Sequence, residues 1–378
     1  MKKILLFLPS ILVVGLLFAQ MAQQSLNLPK PDFLDIKTVK ATSVKNQAMT
    51  GTCWCFSTTS LVESDEIRRD KQEIDLSEMF TVRNIYIEKA KNYILRQGHA
   101  QFGEGGLGHD VIRATATYGA IPLSAYTGLL DGQTQYNHQE LFGKLQTYLD
   151  SVLKKQPISS NWLDGYTKIL DQYLGTPPNE FTYKGKTYNA KSFAKDVLHF
   201  NADDYISLTS FTDHPYYTSY ILQVPDNFSN GSFYNLPLNE LTAAVKEAVS
   251  KGYSVSWDAD VSNNGFRQMQ GLALNLDPSV KYTKEMISTD NKEMPFDANV
   301  RQQLFDNLTT QDDHLMHIVG TERSKDGKTF FVVKNSWGKV GPFDGYINVS
   351  EAYFGINTIS VVVPKASLSK ELLAKLHL

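Results

Sequence analysis

Helical periodicity comes first in this chain and strand-like alternation last, an order that admits few architectures. Residues 51–67 read as a helix, with Trp54, Phe56, Leu61, Val62 and Ile67 interleaved with Ser57, Thr58, Thr59 and Ser60. Side chains that small suit a helix packed on several sides rather than a surface amphipath. Further helices are expected over 76–98 and from Asp110 to Tyr118, where Gly119 is the stop signal. Leu141, Leu145, Leu149 and Val152, then Tyr166, Ile169, Leu170 and Tyr173, repeat at helical spacing. Phe181 to Tyr188 reads as a hairpin turning at Lys184-Gly185, and Asn239 as the N-cap of another helix running to about Ser250. From Tyr253 onward the pattern alternates: Tyr253 to Trp257, Ile318 to Gly320, Phe330 to Val333, Tyr346 to Val349 and Ile359 to Val363. The fold class is α+β.

The extreme N-terminus stands apart. Lys2-Lys3 precede an almost wholly apolar run from Ile4 to Phe18, and small residues follow at Ala19 and Ala22. That is the order of a secretory signal peptide, and about 15 apolar residues fall short of the ~20 that span a bilayer. Residues 1–22 are therefore expected to be a cleaved signal, leaving an exported protein, periplasmic or extracellular, with no stable membrane span. The rest divides into 23–127, a helical insert over 128–250, and a β-rich part over 251–378, in keeping with 378 residues in total. A net charge of −3 without like-charge blocks argues against nucleic acid as a partner. Cys53 and Cys55 are the two cysteines, so a disulfide framework is excluded. Cys-X-Cys with no third cysteine is also a poor metal set. Neither a metal nor another cofactor is expected.

Three segments carry chemistry. In Asn46-Gln47-Ala48-Met49-Thr50-Gly51-Thr52-Cys53-Trp54-Cys55-Phe56, Cys53 falls in the first turn of the expected helix. The free N–H groups and dipole there favour a thiolate. The Gln47 amide, six residues upstream, can donate to a developing oxyanion. In Asp312-Asp313-His314-Leu315-Met316-His317, two imidazoles compete for the general acid/base role and point to opposite faces of a strand. In Lys334-Asn335-Ser336-Trp337-Gly338, an Asn after a buried strand can orient an imidazole while Trp337 shields that bond. Each segment alone has a bland reading, as core cysteine, structural histidine or tight turn. The order Cys, His, Asn, each with supporting neighbours, points to a thiol peptidase. Asn in place of Asp disfavours a transglutaminase-like acyl transferase.

The three segments resemble the papain-type cysteine peptidases, and more closely the bleomycin hydrolase/aminopeptidase C family. Asn46 to Phe56 matches that family's pattern around the nucleophile, and His314-Leu315-Met316 its histidine segment. Leu76-Ser77-Glu78, Gly105-Gly106, Asp203 to Leu208, Tyr234 to Leu238, Val361 to Lys365 and Lys370 to Leu373 are similar too. The resemblance implies a papain-like fold with the helical insert between Cys and His. It implies Cys53 as nucleophile, His314 as general acid/base, Asn335 as its orienter and Gln47 as oxyanion donor. Gly105, Gly106 and Trp337 line the cleft, Cys55 is buried and inert, peptides are the substrates, and a homo-oligomer is possible. Four points depart from the family. Thr52 stands where Arg is usual, and Asp312-Asp313 where Met-Thr is usual. An export signal is present. The chain stops at Leu378, where the family continues into an arm whose terminal carboxylate receives the substrate's amine. Aminopeptidase activity is the leading expectation, with Asp312 and Asp313 as a substitute charge. An open-cleft endopeptidase and a silent peptide-binding homologue are the alternatives.

Overall fold

The computed structural model describes residues 30–277 and 286–378; the expected signal segment lies outside them. Among the described residues no helix is long and apolar enough to cross a membrane. The helical part comprises α1 (Cys53–Asp70), α2 (Glu78–Leu95), α3 (Gly108–Tyr118), α4 (Gln139–Leu153), α5 (Trp162–Leu174) and α6 (Ala190–Asp196). Later come α7 (Leu238–Ser250), α8 (Ala298–Asp306), α9 (Glu351–Asn357) and α10 (Lys370–Lys375). The strands are β1 (Leu34–Thr38), β2 (Phe181–Tyr183), β3 (Lys186–Tyr188), β4 (Tyr205–Thr209), β5 (Ser219–Ile221) and β6 (Ser232–Asn235). They continue with β7 (Val255–Ala259), β8 (Phe266–Arg267), β9 (Leu272–Ala273), β10 (His314–Arg323), β11 (Thr329–Lys334), β12 (Tyr346–Ser350) and β13 (Thr358–Pro364).

Apart from the β2–β3 hairpin, the strands form one sheet in the order β5-β6-β4-β13-β7-β10-β11-β12-β9-β8, with β1 also paired to β10. The central strands are covered on both faces. Met316, Ile318, Trp257, Val361 and Val363 pack against Leu241, Val245 and Ala248 of α7. Leu315, Ile359 and Val362 turn the other way and join the core built on α1 and α2. The small polar residues of α1 are what let it lie close on the sheet. Ser57 Oγ donates to the Met316 carbonyl (2.5 Å) and bonds Ser256 Oγ (2.9 Å), which also meets Thr58 Oγ1 (2.9 Å). Buried hydroxyls are thus satisfied in pairs where larger side chains would hold the layers apart.

Two local expectations change. The stretch after the β2–β3 hairpin is not helical throughout: β4, β5 and β6 extend the sheet beyond β13, with β4 pairing antiparallel to β13 and parallel to β6. The α7 helix starts at Leu238, with Pro237 rather than Asn239 at the cap. Proline's fixed φ, here −55°, already leads the chain into the helix without a side-chain cap.

Candidate active site

Cys53 is the first residue of α1 and is 9% exposed. Its backbone N–H therefore belongs to the helix end that lacks intrahelical acceptors. The sulfur takes a hydrogen bond from the backbone N–H of Leu315, the residue after His314, which ties the helix start to the start of β10. Burial pushes the Cys53 thiol up to about 12, in spite of that N–H; the carboxylates of Asp226, Asp312 and Asp258 push the same way.

His314 opens β10. Its Nε2 donates to Asn335 Oδ1 (2.8 Å), and Trp337 stacks on the ring at 4.6 Å between centroids. The direction of that bond follows from the neighbours. Ser336 N–H donates to the same Asn335 Oδ1 (2.7 Å), and Asn335 Nδ2 donates to Gln268 Oε1 (2.9 Å). Gln268 Nε2 in turn donates to the Tyr346 carbonyl (3.3 Å). With Asn335 Oδ1 fixed as acceptor, His314 carries its proton on Nε2 and keeps Nδ1 as the basic nitrogen. Burial depresses the imidazole to about 4, with Asn335 working in the opposite direction. Burial thus disfavours the charged form of each side chain.

The competing residues sit elsewhere. His317 lies on the α1 face of β10, bonded through Nδ1 to Ser60 Oγ (2.9 Å), with Lys334 Nζ on the same hydroxyl (2.8 Å). Burial, then Lys334, keep it neutral. Cys55 is fully buried and donates to the Glu78 carbonyl (3.3 Å), so its thiol faces α2.

Gln47 is held from both ends of its amide. Oε1 accepts from Ser336 Oγ (2.5 Å), and Nε2 donates to the Thr50 carbonyl (2.8 Å), which leaves one amide proton for another acceptor. Its backbone N–H bonds the Ser336 carbonyl (2.8 Å), and Gly338 N–H bonds Lys45 O (3.0 Å). Lys45 anchors this segment by reaching Glu63 (3.2 Å), Asp75 (2.5 Å) and Glu78 (2.5 Å) at once. Against the desolvation of burial, Glu78, Glu63 and Asp75 hold its ammonium well above the ordinary lysine range.

Gly105 and Gly106 run past the Asp226 carboxylate and the Trp54 ring, on the other side of Cys53 in sequence order from Gln47. A Cβ at Gly106 would lie 3.1 Å from the Trp54 ring, and one at Gly105 only 1.8 Å from Asp226 Oδ2. Glu104 positions them by accepting from Gly51 N–H (2.7 Å) and, through its carbonyl, from Trp54 Nε1 (3.1 Å). Lys89 Nζ holds the Gly103 carbonyl (2.8 Å) and that of Gly105. The sequence reading missed Gln268, Asp226, Asp258 and the Leu315 N–H. Only Leu315 adjoined a residue already singled out.

A helical layer carrying a thiol at a helix start, set against a sheet carrying His and Asn, is the papain-type arrangement. Residues 144–378 match the Peptidase C1-like family, and residues 30–83 the Papain family cysteine protease. The chain belongs to the Peptidase C1-like family of cysteine peptidases. Similar curated proteins include Aminopeptidase G of Lactobacillus delbrueckii subsp. lactis, 25% identical over 87% of this chain and 82% of that protein. Bleomycin hydrolase of Rattus norvegicus is 22% identical over 88% and 83%. The crystal structure of PepW from Lactobacillus rhamnosis shares the fold, with a TM-score of 0.71, 21% identity, and coverage of 97% of this chain and 91% of that one.

Proposed function

We propose that this chain is an exported aminopeptidase that hydrolyses peptides through Cys53, His314 and Asn335. The observation that carries the reading is the hydrogen-bond chain Tyr346–Gln268–Asn335–His314, which supports Nδ1 as the base, next to the residue whose N–H reaches the Cys53 sulfur. In the first step the Cys53 proton passes to His314 Nδ1 as sulfur attacks the scissile carbonyl carbon. The resulting oxyanion takes hydrogen bonds from the remaining Gln47 amide proton and from the Cys53 N–H at the start of α1. The imidazolium then protonates the leaving amine, and the C–N bond breaks to give a thioester. Water, deprotonated by His314, attacks the thioester and releases the acid and the free thiol.

Asn335 keeps the ring in the productive tautomer through all four proton transfers, and Trp337 covers that bond. Gly106 pairs with the substrate's main chain, since Lys89 holds the Gly105 carbonyl. The aminopeptidase form draws on the names of the relatives, and export on the N-terminal pattern of residues 1–22. The test is hydrolysis of short peptides and its loss on alkylation of Cys53. Folded protein whose Cys53 reacts with the alkylator, yet which cleaves no peptide before treatment, overturns the reading.

A further inference from the structure

We propose that Asp226, Asp258 and Asp312 form a receptor, beside Cys53, for the free α-ammonium of a peptide substrate's first residue. The inference rests on the peptidase reading above and names the part of the substrate that the site selects.

Asp258 lies on β7, two residues after Ser256, so it shares the face that Ser256 turns to α1. Its cross-strand neighbour is Leu315, whose N–H reaches the Cys53 sulfur. Asp258 is 1% exposed; Oδ2 accepts from Ser360 Oγ (3.1 Å), while Oδ1 has no donor from a basic side chain or the backbone. Asp312 comes up beside it from the residue pair ahead of β10, and the two carboxyls hydrogen-bond each other through a shared proton, with no basic side chain on either. Asp226 approaches from the opposite wall, its carboxylate occupying the space a side chain at 105 would need, and its backbone N–H supports Asp312. Asp313 takes no part, because its carboxylate turns to the Val261 N–H (3.2 Å).

The charge balance around these groups is negative. Lys89 offsets one carboxylate, and Asp110 behind it is answered by Arg113 (3.1 Å). Burial raises Asp312 to about 7 and Asp258 and Asp226 above the ordinary carboxylate range, each pushed further by its acidic neighbours. Buried carboxyls that share one proton and have no cation are completed by a donor that brings positive charge. Among the described residues no three acid, histidine or cysteine side chains converge closely enough to hold a metal ion. An ammonium, with three divergent N–H donors, suits the looser arrangement.

The position distinguishes the α-ammonium from a lysine or arginine side chain. Asp226 lies against the Gly105 backbone, and all three acids are near enough to Cys53 to act on its thiol. A free α-nitrogen is two covalent bonds from the carbonyl carbon that sulfur attacks. Binding it also removes a negative field that opposes the thiolate, so the correct substrate eases its own attack.

The test measures kcat/KM for a short peptide with a free amino end and for its N-acetylated counterpart, in wild type, Asp226→Asn and Asp312→Asn. The rate of Cys53 labelling by iodoacetamide at pH 8 is measured alongside. Wild type should favour the free amine, and each variant should cut that preference about tenfold or more while labelling becomes faster. Asp312→Glu should restore part of the preference. An unchanged preference in both variants, or hydrolysis and labelling slowed together, overturns the receptor. Equal wild-type rates on the two peptides overturn it too but leave the peptidase intact. So does a preference for acetylated peptides bearing Lys or Arg before the scissile bond. Failure on every peptide with a thiol that still labels strikes the peptidase reading itself.

Discussion

Two groups of buried carboxyls flank α1, and they are built in opposite ways. Midway along the helix, Glu63 accepts from Thr42 Oγ1 (2.5 Å), the Leu76 N–H (2.8 Å) and Lys45, and the same lysine pairs with Glu78 and Asp75. Every acid there meets a donor from the protein. At the helix start, Asp258 and Asp312 answer each other through one shared proton, and no lysine or arginine pairs with them among the described ion pairs. The first arrangement uses charge to join the Gln47 segment, α1 and α2. The second holds acids that the folded chain supplies with a proton but with no cation, next to the sulfur. A buried acid with its cation is a structural device; one without it is waiting for a ligand or a proton.

The largest expected effects test whether chemistry is confined to the helix start. Cys53→Ala and His314→Ala should each lower turnover by about 10⁴–10⁶-fold, on the scale of removing one member of a nucleophile–base unit. Cys55→Ala and His317→Ala should retain most of it and act through stability. Comparable turnover losses in folded His317→Ala protein would contradict the separation. The next effect lies in the compensated group. Lys45→Met leaves three carboxylates without their cation and should cost about 3–5 kcal/mol in unfolding free energy by denaturant titration. A loss below 1 kcal/mol would mean the two groups differ less than their geometry suggests. Gln268→Ala should leave stability nearly unchanged and lower kcat by up to about 10²-fold, because it frees the Asn335 amide to rotate; an unaltered pH–rate profile and kcat would remove Gln268 from the orienting chain.

The smallest effect is a pH dependence with a definite sign. Asp312 is raised to about 7 by burial, with its acidic neighbours adding to the shift. Its folded form therefore binds a proton that the unfolded chain has already released, and between about pH 4 and 7 its contribution to stability falls as pH rises. Asp312→Asn should remove that contribution, so its melting temperature should gain on wild type as pH increases across this window. A gap that narrows with increasing pH would show that Asp312 is compensated after all.

The readability of these features follows their range along the chain. The start of α1 was legible because Gly51-Thr52 and the buried Ser/Thr pattern are local, and the Cys, His and Asn segments each carry their neighbours with them. The β4–β6 strands were not, since β4 pairs with β13, joining residues 205–208 to 361–364, while β6 and β5 add on beyond it as short, mixed segments. Asp258 was hidden for a different reason. Alternation marks β7 as a strand, but on a half-covered sheet its polar positions face water, whereas β7 is covered on both sides. Gln268 and Asp226 reach the site from loops far away in sequence, and no spacing rule announces such partners.

The clamped Gln47 amide has a consequence for how the enzyme fails. Ser336, Thr50 and the backbone bonds at 47 and 338 hold it as part of the same network that closes α1 against the end of β11. In the proposed mechanism the Gln47 donor needs no loop closure when the oxyanion forms, because its orientation is settled during folding. Thermal inactivation and melting of the sheet should then coincide, without an earlier, separately reversible loss of activity.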